Sequence, residues 1–239
     1  MTRTRNPTCF LRMKMDSGLT LINKALDTLQ HTRNDKVLME AKLRQAAFYW
    51  WTLKFDETIQ TCQAVLKIGQ SLERTVDNVN HYLFFSKHTI SYAYFAKGNA
   101  KQALRSATEI YDRYFHRLSA FNRIRTYNML ANANLISCHY QKSKSYAEKG
   151  LEISRNLENA FSSRILLIAL SKGEVIQGHL DEAYEHASRA LRMGEEENYD
   201  HVVIMANCIL GDIFFSLQAY SQALQHYRVA QLRVGYSKE

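Results

Sequence analysis

Proline is almost missing from this chain of 239 residues, which contains a single one, Pro7, near its amino terminus. Because proline is the residue that most strongly interrupts helices, nothing after this position blocks helix continuation. Glycine is also scarce, at 9 residues, and this scarcity argues against a turn-rich all-β fold. The two low counts therefore favour helices over strands.

The sequence also contains few cysteines and no long apolar segment. The four cysteines, Cys9, Cys62, Cys138 and Cys208, form no CxxC pair and no metal-ligand spacing with histidine, so neither a disulfide framework nor a zinc site is indicated. No segment is apolar and long enough for a signal-peptide core or a membrane helix. We expect a cytoplasmic protein with no cofactor, no metal and no membrane contact.

The positive charge is unevenly distributed. The formal net charge is +8, and Arg3, Arg5, Arg12 and Lys14 supply four positive charges within positions 1–15. The segment 97–125 is also basic, and the segment 181–200 is acidic. The basic segment at the amino terminus is compatible with nucleic-acid binding or with a solvated terminus. Because the polar code of helical-repeat RNA readers is absent, nucleic-acid binding is the minor alternative.

Catalytic motifs are absent as well. The sequence has no GxxxxGK phosphate loop, no HExxH and no nucleophile elbow, and its nine histidines are scattered without a carboxylate partner at fixed spacing. A catalytic function requires a site, and no catalytic site is visible. We therefore expect a protein that is not an enzyme.

A spacing of about 40 residues repeats along the chain, within the range typical of helical repeat proteins. Small residues recur at this spacing in two series, namely Ser91, Ala131, Ser171 and Gly211, and Ala103, Ser143, Ala183 and Ala223. Each unit contains two apolar stretches at helical spacing with a polar or glycine-containing turn between them, which is typical of an antiparallel helix pair. Small residues at both positions allow the two backbones to approach closely.

The first full unit is spaced more widely. Its small residues, Ala46 and Thr58, precede the two series by slightly more than one period, and the additional residues fall between Gln70 and Asn80. We predict a basic tail, or the remnant of an incomplete repeat, at 1–15 and a single repeat domain at 16–236, which comprises a half repeat at 16–30 and repeats at 34–70, 80–116, 118–156, 160–194 and 199–236. Since one pair cannot bury both of its faces, successive pairs have to stack.

The last unit carries a recognisable motif. Leu210-Gly211 followed by Phe214, and then Tyr220-x-x-Ala223 and Tyr227-x-x-Ala230, resemble a tetratricopeptide repeat (TPR). The period is longer than the usual value of about 34 residues, and the closing proline is absent. Longer units of this kind resemble the repeats of MalT-like and other LuxR-type regulators, signal-transduction ATPases and signalling adaptors. The resemblance implies an all-α, right-handed superhelical solenoid of antiparallel helix pairs with about five and a half repeats.

The resemblance also implies a location for binding, because the first helix of each pair lines the concave groove of such a solenoid. Residues at helical spacing around each small residue form one stripe along these helices. The candidate binding residues on this stripe are Trp50, Phe85, His88, Tyr92, Phe95, Arg125, Asn128, Asn132, Lys172, Asp212 and Phe215. They combine flat apolar area with amide and cationic donors, a mixture suited to a peptide or a polar small ligand. The competing interpretation is that the aromatic residues belong to the core.

Two functions fit this surface. The first is a non-enzymatic scaffold that holds a partner peptide or helix in the groove. The second is a peptide- or ligand-sensing segment of a larger signalling ATPase or transcription regulator. The end helices carry apolar residues and no polar capping helix, so we also expect self-association or further domains there.

Overall fold

The computed structural model describes residues 7–29, 34–72, 79–157 and 160–236. Within these ranges the chain forms eleven α-helices and a short 3₁₀-helix, and it contains no strand. The α-helices are α1 (Pro7–Leu29), α2 (Asp35–Trp51), α3 (Phe55–Leu72), α4 (Val79–Ala96), α5 (Ala100–Tyr114), α6 (Ala120–Ile136), α7 (Tyr140–Asn156), α8 (Ala160–Gln177), α9 (Leu180–Glu196), α10 (Asp200–Ser216) and α11 (Tyr220–Tyr236). The 3₁₀-helix, Phe115–Arg117, follows α5. The predicted all-α repeat fold is confirmed.

The chain divides into two compact units, unit 1 (Met1–Arg117) and unit 2 (Leu118–Glu239). In unit 1, α2 packs against α3 and α4 against α5; in unit 2, the pairs are α6 with α7, α8 with α9 and α10 with α11. The second helix of a pair also packs against the first helix of the next, as α7 does against α8 and α9 against α10. Each unit thus contains stacked helix pairs, as the repeat predicts.

The two helices of each pair are joined by a turn that contains one left-handed residue. Positive φ angles occur at Gly98, Cys138, Gly178 and Gln218, which recur at the repeat spacing, and at Leu53 in the first full pair. A left-handed residue at this position is a common way to end a helix, and glycine is favoured there because it has no Cβ. The sequence period is therefore visible in the backbone conformation.

Two backbone hydrogen bonds close each of these turns. After α8, the N–H of Gly178 donates to the carbonyl of Val175 at 3.1 Å, and the N–H of His179 donates to the carbonyl of Glu174 at 2.9 Å. Bonds at the same relative positions follow α2, α4, α6 and α10. They satisfy carbonyls that the end of a helix would otherwise leave unpaired.

The small residues of each pair lie where the two helices are in close contact. The buried hydroxyl of Ser91 in α4 donates to the carbonyl of Ala103 in α5 at 2.9 Å. One repeat later, Ser143 in α7 donates to the carbonyl of Ala131 in α6 at 2.8 Å. Side chain to backbone bonds this short require close helix axes, so the structure supports the physical reason inferred for the small residues.

Apolar residues of neighbouring pairs form a core in each unit. In unit 2 a continuous buried cluster draws on helices α6 to α10 and includes Ile124, Leu151, Leu166, Leu167, Leu170, Ile209, Leu210 and Ile213. In unit 1, Ala46, Cys62 and Ile90 join helices α2, α3 and α4. The thiol of Cys62 has a pKa raised to about 12 by burial, as expected for a structural cysteine.

Helix α1 begins at Pro7, earlier than the predicted start of the half repeat at residue 16. Part of the segment interpreted as a tail is thus helical, and proline is well suited to the first position because its missing N–H has no partner there. Residues 1–6 lie outside the described part of the chain, as do residues 73–78, which contain most of the segment where the wider spacing was placed.

Across the described helices, none is both long enough and apolar enough to cross a membrane.

Candidate functional site

The first helices of successive pairs lie side by side within each unit. In unit 2, α8 packs against both α6 and α10; in unit 1, α2 packs against α4. The predicted stripe therefore follows adjacent helices in each unit. We define the first-helix face as a set of exposed or half-buried residues that lie on the stripe in unit 2, together with Ile176 beside the stripe; it consists of Arg125, Asn132, Ile165, Lys172, Ile176, Met205, Cys208, Asp212 and Phe215.

The six candidate residues predicted in unit 2 differ in exposure. Arg125, Asn132 and Lys172 are half-buried, whereas Asp212 and Phe215 are exposed. Asn128 is only 9% exposed. Five of the six side chains are therefore accessible to a ligand, and Asn128 supports the face from below.

Asn128 and Asn132 act together on α6. The side-chain amide of Asn132 donates both to the backbone carbonyl of Asn128, at 2.8 Å, and to its Oδ1, at 3.0 Å. Both N–H groups of Asn132 are thereby engaged, so its free capacity is as an acceptor through Oδ1. Asn132 is thus suited to accept a hydrogen bond from an N–H group of a bound chain.

Lys172 lies on the middle helix of the face, α8. Burial lowers the pKa of its ammonium, and the nearby Cys208 and Asp212 partly oppose this by raising it. No carboxylate of the described residues lies within 4.0 Å of its ammonium, in contrast to Lys87 on α4, which pairs with Glu109 at 2.7 Å. Lys172 is therefore a half-buried cation without an ion-pair partner in the described chain.

Two neighbours on α10 titrate under the influence of Lys172. Burial lowers the pKa of His201, and the charge of Lys172 lowers it further. Burial and the charge of Asp212 raise the pKa of the exposed Cys208 thiol, against an opposite effect of Lys172. Both shifts favour neutral side chains, which leaves Lys172 and Asp212 as the charged groups of this region.

Asp212 is held by the last helix. The hydroxyl of Tyr227 on α11 donates to Oδ1 of Asp212 at 2.7 Å. Burial, followed by this hydrogen bond and the negative charge, raises the pKa of Tyr227 to about 12. The carboxylate of Asp212 is thereby fixed by α11 and does not form an ion pair with Lys172.

Exposed apolar side chains lie on the same helices as Lys172 and Asp212. Phe215 at the end of α10 is 59% exposed, and Ile176 on α8 is 57% exposed. The stripe predicted from the sequence omits Ile176 because it uses the neighbouring Val175, which packs against the core. The signal that could have revealed Ile176 is its position one helical turn after Lys172.

A row of ring contacts joins three of the five candidate residues of unit 1, namely Trp50, Tyr92 and His88. Trp50 contacts Phe55 edge-on at a centroid distance of 5.3 Å and Tyr92 at 6.5 Å. Tyr92 contacts His88 at 4.8 Å, and Trp50, Tyr92, Phe85 and Phe95 are half-buried. This row offers flat apolar area on α2 and α4, and Phe55 is a member that sequence reasoning did not include.

Two features of unit 1 were decided by packing. His88 is only 7% exposed and lies between Phe84, at a centroid distance of 5.6 Å, and Tyr92. Trp51 is 68% exposed, while Trp50 is half-buried in the ring row. The adjacent tryptophans do point to different environments, as their one-residue spacing predicts.

The groups on these faces are suited to non-covalent recognition. In the described ranges, no cluster of three or more histidine, cysteine or acidic side chains is placed to hold a metal ion. The faces present apolar area, an amide acceptor, a cation outside any ion pair of the described chain and a fixed carboxylate, which are the groups that bind the backbone and side chains of a peptide.

Comparison with known proteins gives matches at the level of structure. No family model matches the chain, and no curated protein matches it by sequence. Among solved structures, BtubC (BKLC) from P. vanneervenii is 14% identical with a TM-score of 0.69, covering 95% of this chain and 92% of that one. A putative kinesin light chain with TPR-like repeats from Podosopora anserina is 14% identical with a TM-score of 0.61, covering 86% and 99%. The chain has the tetratricopeptide-type repeat fold.

Other proteins with this fold are longer than the chain. A Rap protein complexed with Competence and Sporulation Factor is 15% identical with a TM-score of 0.69, and 64% of its length is covered. A STAND protein with a tetratricopeptide repeat sensor from Pyrococcus horikoshii is 13% identical with a TM-score of 0.64, and 36% of its length is covered. The chain thus spans less than two thirds of these two proteins. At such identities the likeness shows the fold alone.

Proposed function

We propose that the protein is a peptide-binding scaffold and that its first-helix face in unit 2 holds an extended segment of a partner protein. The observation that carries the proposal is the combination of exposed Ile176 and Phe215 with the half-buried Lys172, which has no ion-pair partner in the described chain, on adjacent helices. Exposed apolar area beside a few fixed polar groups is the usual composition of a recognition surface.

The polar groups of this face fit an extended peptide. Asn132 keeps an acceptor for a backbone N–H, and Asp212, fixed by Tyr227, provides a second acceptor. The apolar side chains provide contact area for alternate residues of the bound segment. The aromatic row of unit 1 belongs to the same proposal as a separate face.

The Rap neighbour supports this function by analogy, since that protein is complexed with Competence and Sporulation Factor. The sensor alternative is favoured by the likeness to the tetratricopeptide repeat sensor of the STAND protein. The sensor function also requires that a peptide or ligand binds, and it adds a conformational change in response. A ligand causes such a change only if it binds one conformation more tightly than the other. A neighbour described as an aspartyl phosphate phosphatase has a low identity and carries no catalytic residue over to this chain.

The test is to select peptides on the intact chain and measure their affinity for three proteins. A random peptide library is panned on the chain, and an enriched peptide is titrated calorimetrically into wild type, Ile176→Asp and the control Leu224→Asp. Leu224 lies on α11 and is similarly exposed, at 50% against 57% for Ile176. We expect Ile176→Asp to weaken binding by about tenfold or more, because it buries a charge in the contact.

Leu224→Asp is expected to bind as wild type does, and circular dichroism has to show equal helicity for all three proteins. Equal affinity of the enriched peptides for all three proteins would contradict the proposal, because binding would then not involve the first-helix face. Failure of the library to yield any binder would contradict it as well.

A further inference from the structure

We infer that a small cavity between α7 and α8 is a binding site for a primary ammonium group, with Glu174 as its anionic partner. Residues of both helices line this cavity, among them Ser143 and Lys144 on α7 and Glu174 and Gln177 on α8. The cavity shares no residue with the first-helix face. The inference therefore adds a second site to the proposed function and is tested separately.

Glu174 is a buried charge with an incomplete set of partners. The lysine, arginine and acidic side chains that are buried in the described ranges are Lys87, Arg164 and Glu174. Both cations lie 2.7 Å from a glutamate carboxylate. Glu174, at 2% exposure, has only His186, whose Nδ1 lies 2.8 Å from its Oε2 and which is charged only when protonated. Since buried charges are normally paired, Glu174 lacks a permanent cation.

One oxygen of this carboxylate also lacks a hydrogen bond. Oε1 of Glu174 is buried and has no partner among the described residues. An ionised carboxylate only accepts hydrogen bonds, and a buried acceptor that stays unpaired costs free energy. Because His186 binds Oε2 and does not line the cavity, Oε1 is the oxygen that a donor in the cavity can reach.

The other polar side chains of the cavity offer acceptors as well. The hydroxyl of Ser143 donates its hydrogen to the carbonyl of Ala131 at 2.8 Å. The side-chain amide of Gln177 donates to the carbonyl of Gly173 at 3.0 Å. The oxygens of both side chains are left to accept. A primary ammonium has three N–H donors and no acceptor, and its charge makes the bond to a carboxylate stronger than that of a neutral donor.

The size of the cavity selects among cations. Its volume is about 10 Å³, which gives room for a group of the size of one water molecule. A primary ammonium head has this size, whereas a guanidinium or a trimethylated ammonium is larger. Tyr140, Lys144 and Gln177 are half-buried residues of the lining, so the alkyl stem of the ligand can leave the cavity beside them.

Lys144 gives the inference a directional test. It lines the cavity but forms no ion pair with Glu174, whose Oε1 stays without a partner. Its positive charge opposes a second cation in the same cavity. Removal of this charge should therefore strengthen the binding of an ammonium ligand.

The inference is tested with two probes of equal charge. Butylammonium carries three N–H donors, and butyltrimethylammonium has the same stem with a larger head and no donor. Each is titrated at constant ionic strength up to about 50 mM, a range suited to ligands of this size. The readout is the NMR shift of the Gly173 amide in intact protein labelled at its 9 glycines. We expect butylammonium to bind at least about tenfold more tightly.

Three variants locate the site. Glu174→Gln removes the charge and keeps the shape and an acceptor for His186, and we expect it to weaken butylammonium binding by about tenfold or more. Lys144→Met should strengthen it by about threefold. The matched control is Glu182→Gln on α9, an exposed glutamate that should bind as wild type does. Circular dichroism has to show equal helicity for all four proteins.

A third probe distinguishes the two sources of a primary ammonium. N-acetyl-lysine methylamide carries the group on a peptide backbone. If it binds at least as tightly as butylammonium, the site takes a lysine side chain of a partner protein; if it binds more weakly, the site takes a free small amine. Both outcomes support the inference.

Four results would overturn it. Equal effects of the two butyl probes would show unspecific attraction of cations, and the absence of a saturable shift at Gly173 would leave the cavity to water. Unchanged affinity in Glu174→Gln, or an affinity that does not rise in Lys144→Met, would place the ammonium outside the cavity. None of these results touches the proposed function, because the peptide experiment uses other residues.

Discussion

Among the small residues of the repeat, Gly211 is the one with the clearest steric requirement for a small side chain. A Cβ atom added there would collide with Cε1 of Tyr227 and would lie 2.7 Å from Cδ1 of the same ring. The ring cannot retreat freely, because its hydroxyl holds Asp212. A small residue at this position therefore serves both helix packing and the fixed carboxylate of the first-helix face.

We predict that Gly211→Ala lowers the free energy of unfolding by about 1–3 kcal/mol, since the added methyl group overpacks the α10–α11 contact. The matched control is Gly173→Ala on α8, where the nearest side-chain atom, Cδ1 of Leu135, lies at an ordinary 3.5 Å. That change should raise the free energy by up to about 1 kcal/mol through helix propensity. Urea unfolding checks both values, and equal effects of the two substitutions would contradict the steric explanation.

At the scale of elements, the turns between paired helices keep one backbone conformation while their residues vary. Glycine occupies the left-handed position at Gly98 and Gly178, but the corresponding positions of other pairs hold Leu53, Cys138 and Gln218. Residues with a Cβ are strained in this conformation. The turn geometry therefore follows from the pairing of the helices and not from glycine alone. For this reason the sequence predicts the position of each turn, but it does not predict which turns contain a strained residue.

This strain can be measured at the last turn. Gln218→Gly should raise the free energy of unfolding by about 0.5–1 kcal/mol, because relief of the left-handed strain exceeds the added chain entropy. Gly178→Ala, in the corresponding turn of the preceding pair, should lower it by about 1 kcal/mol. Thermal and urea unfolding of the two variants check the signs; destabilisation by Gln218→Gly would show that its side chain has a stabilising contact.

At the scale of the whole molecule, the net positive charge is carried by unit 1. Residues 1–117 contain 18 basic and 10 acidic residues, whereas residues 118–239 contain 13 of each. An excess of like charge destabilises a compact state through repulsion, and salt screens this repulsion. The two units should therefore respond differently to ionic strength.

We predict that raising the salt concentration from about 0.01 M to about 0.1 M, which shortens the screening length from about 30 Å to about 10 Å, slows amide exchange in the helices of unit 1. The effect should be about twofold, and exchange in unit 2 should change less, which makes unit 2 the internal control. Hydrogen exchange followed by mass spectrometry gives both rates. Equal slowing in the two units would contradict the electrostatic explanation.

The sequence alone determined the class of the fold and the approximate places of its helices. The constant repeat spacing, the apolar stretches at helical period and the scarcity of proline are local properties, and helix pairs follow from them without knowledge of distant contacts. The small residues at Ser91 and Ser143 could be interpreted for the same reason, because their role is to bring two neighbouring helices together.

Only the tertiary structure decided which residues of the stripe are open to a ligand. His88 and Asn128 are buried although both lie on the predicted stripe, and Ile176 is exposed although the stripe omits it. The pKa of Lys172 likewise depends on its burial and on the position of the Asp212 carboxylate, which is distant in sequence. Burial and charge pairing depend on side chains that are far apart in sequence. The exposed residues of the binding surface are therefore decided by packing, whereas the repeat is decided by the sequence.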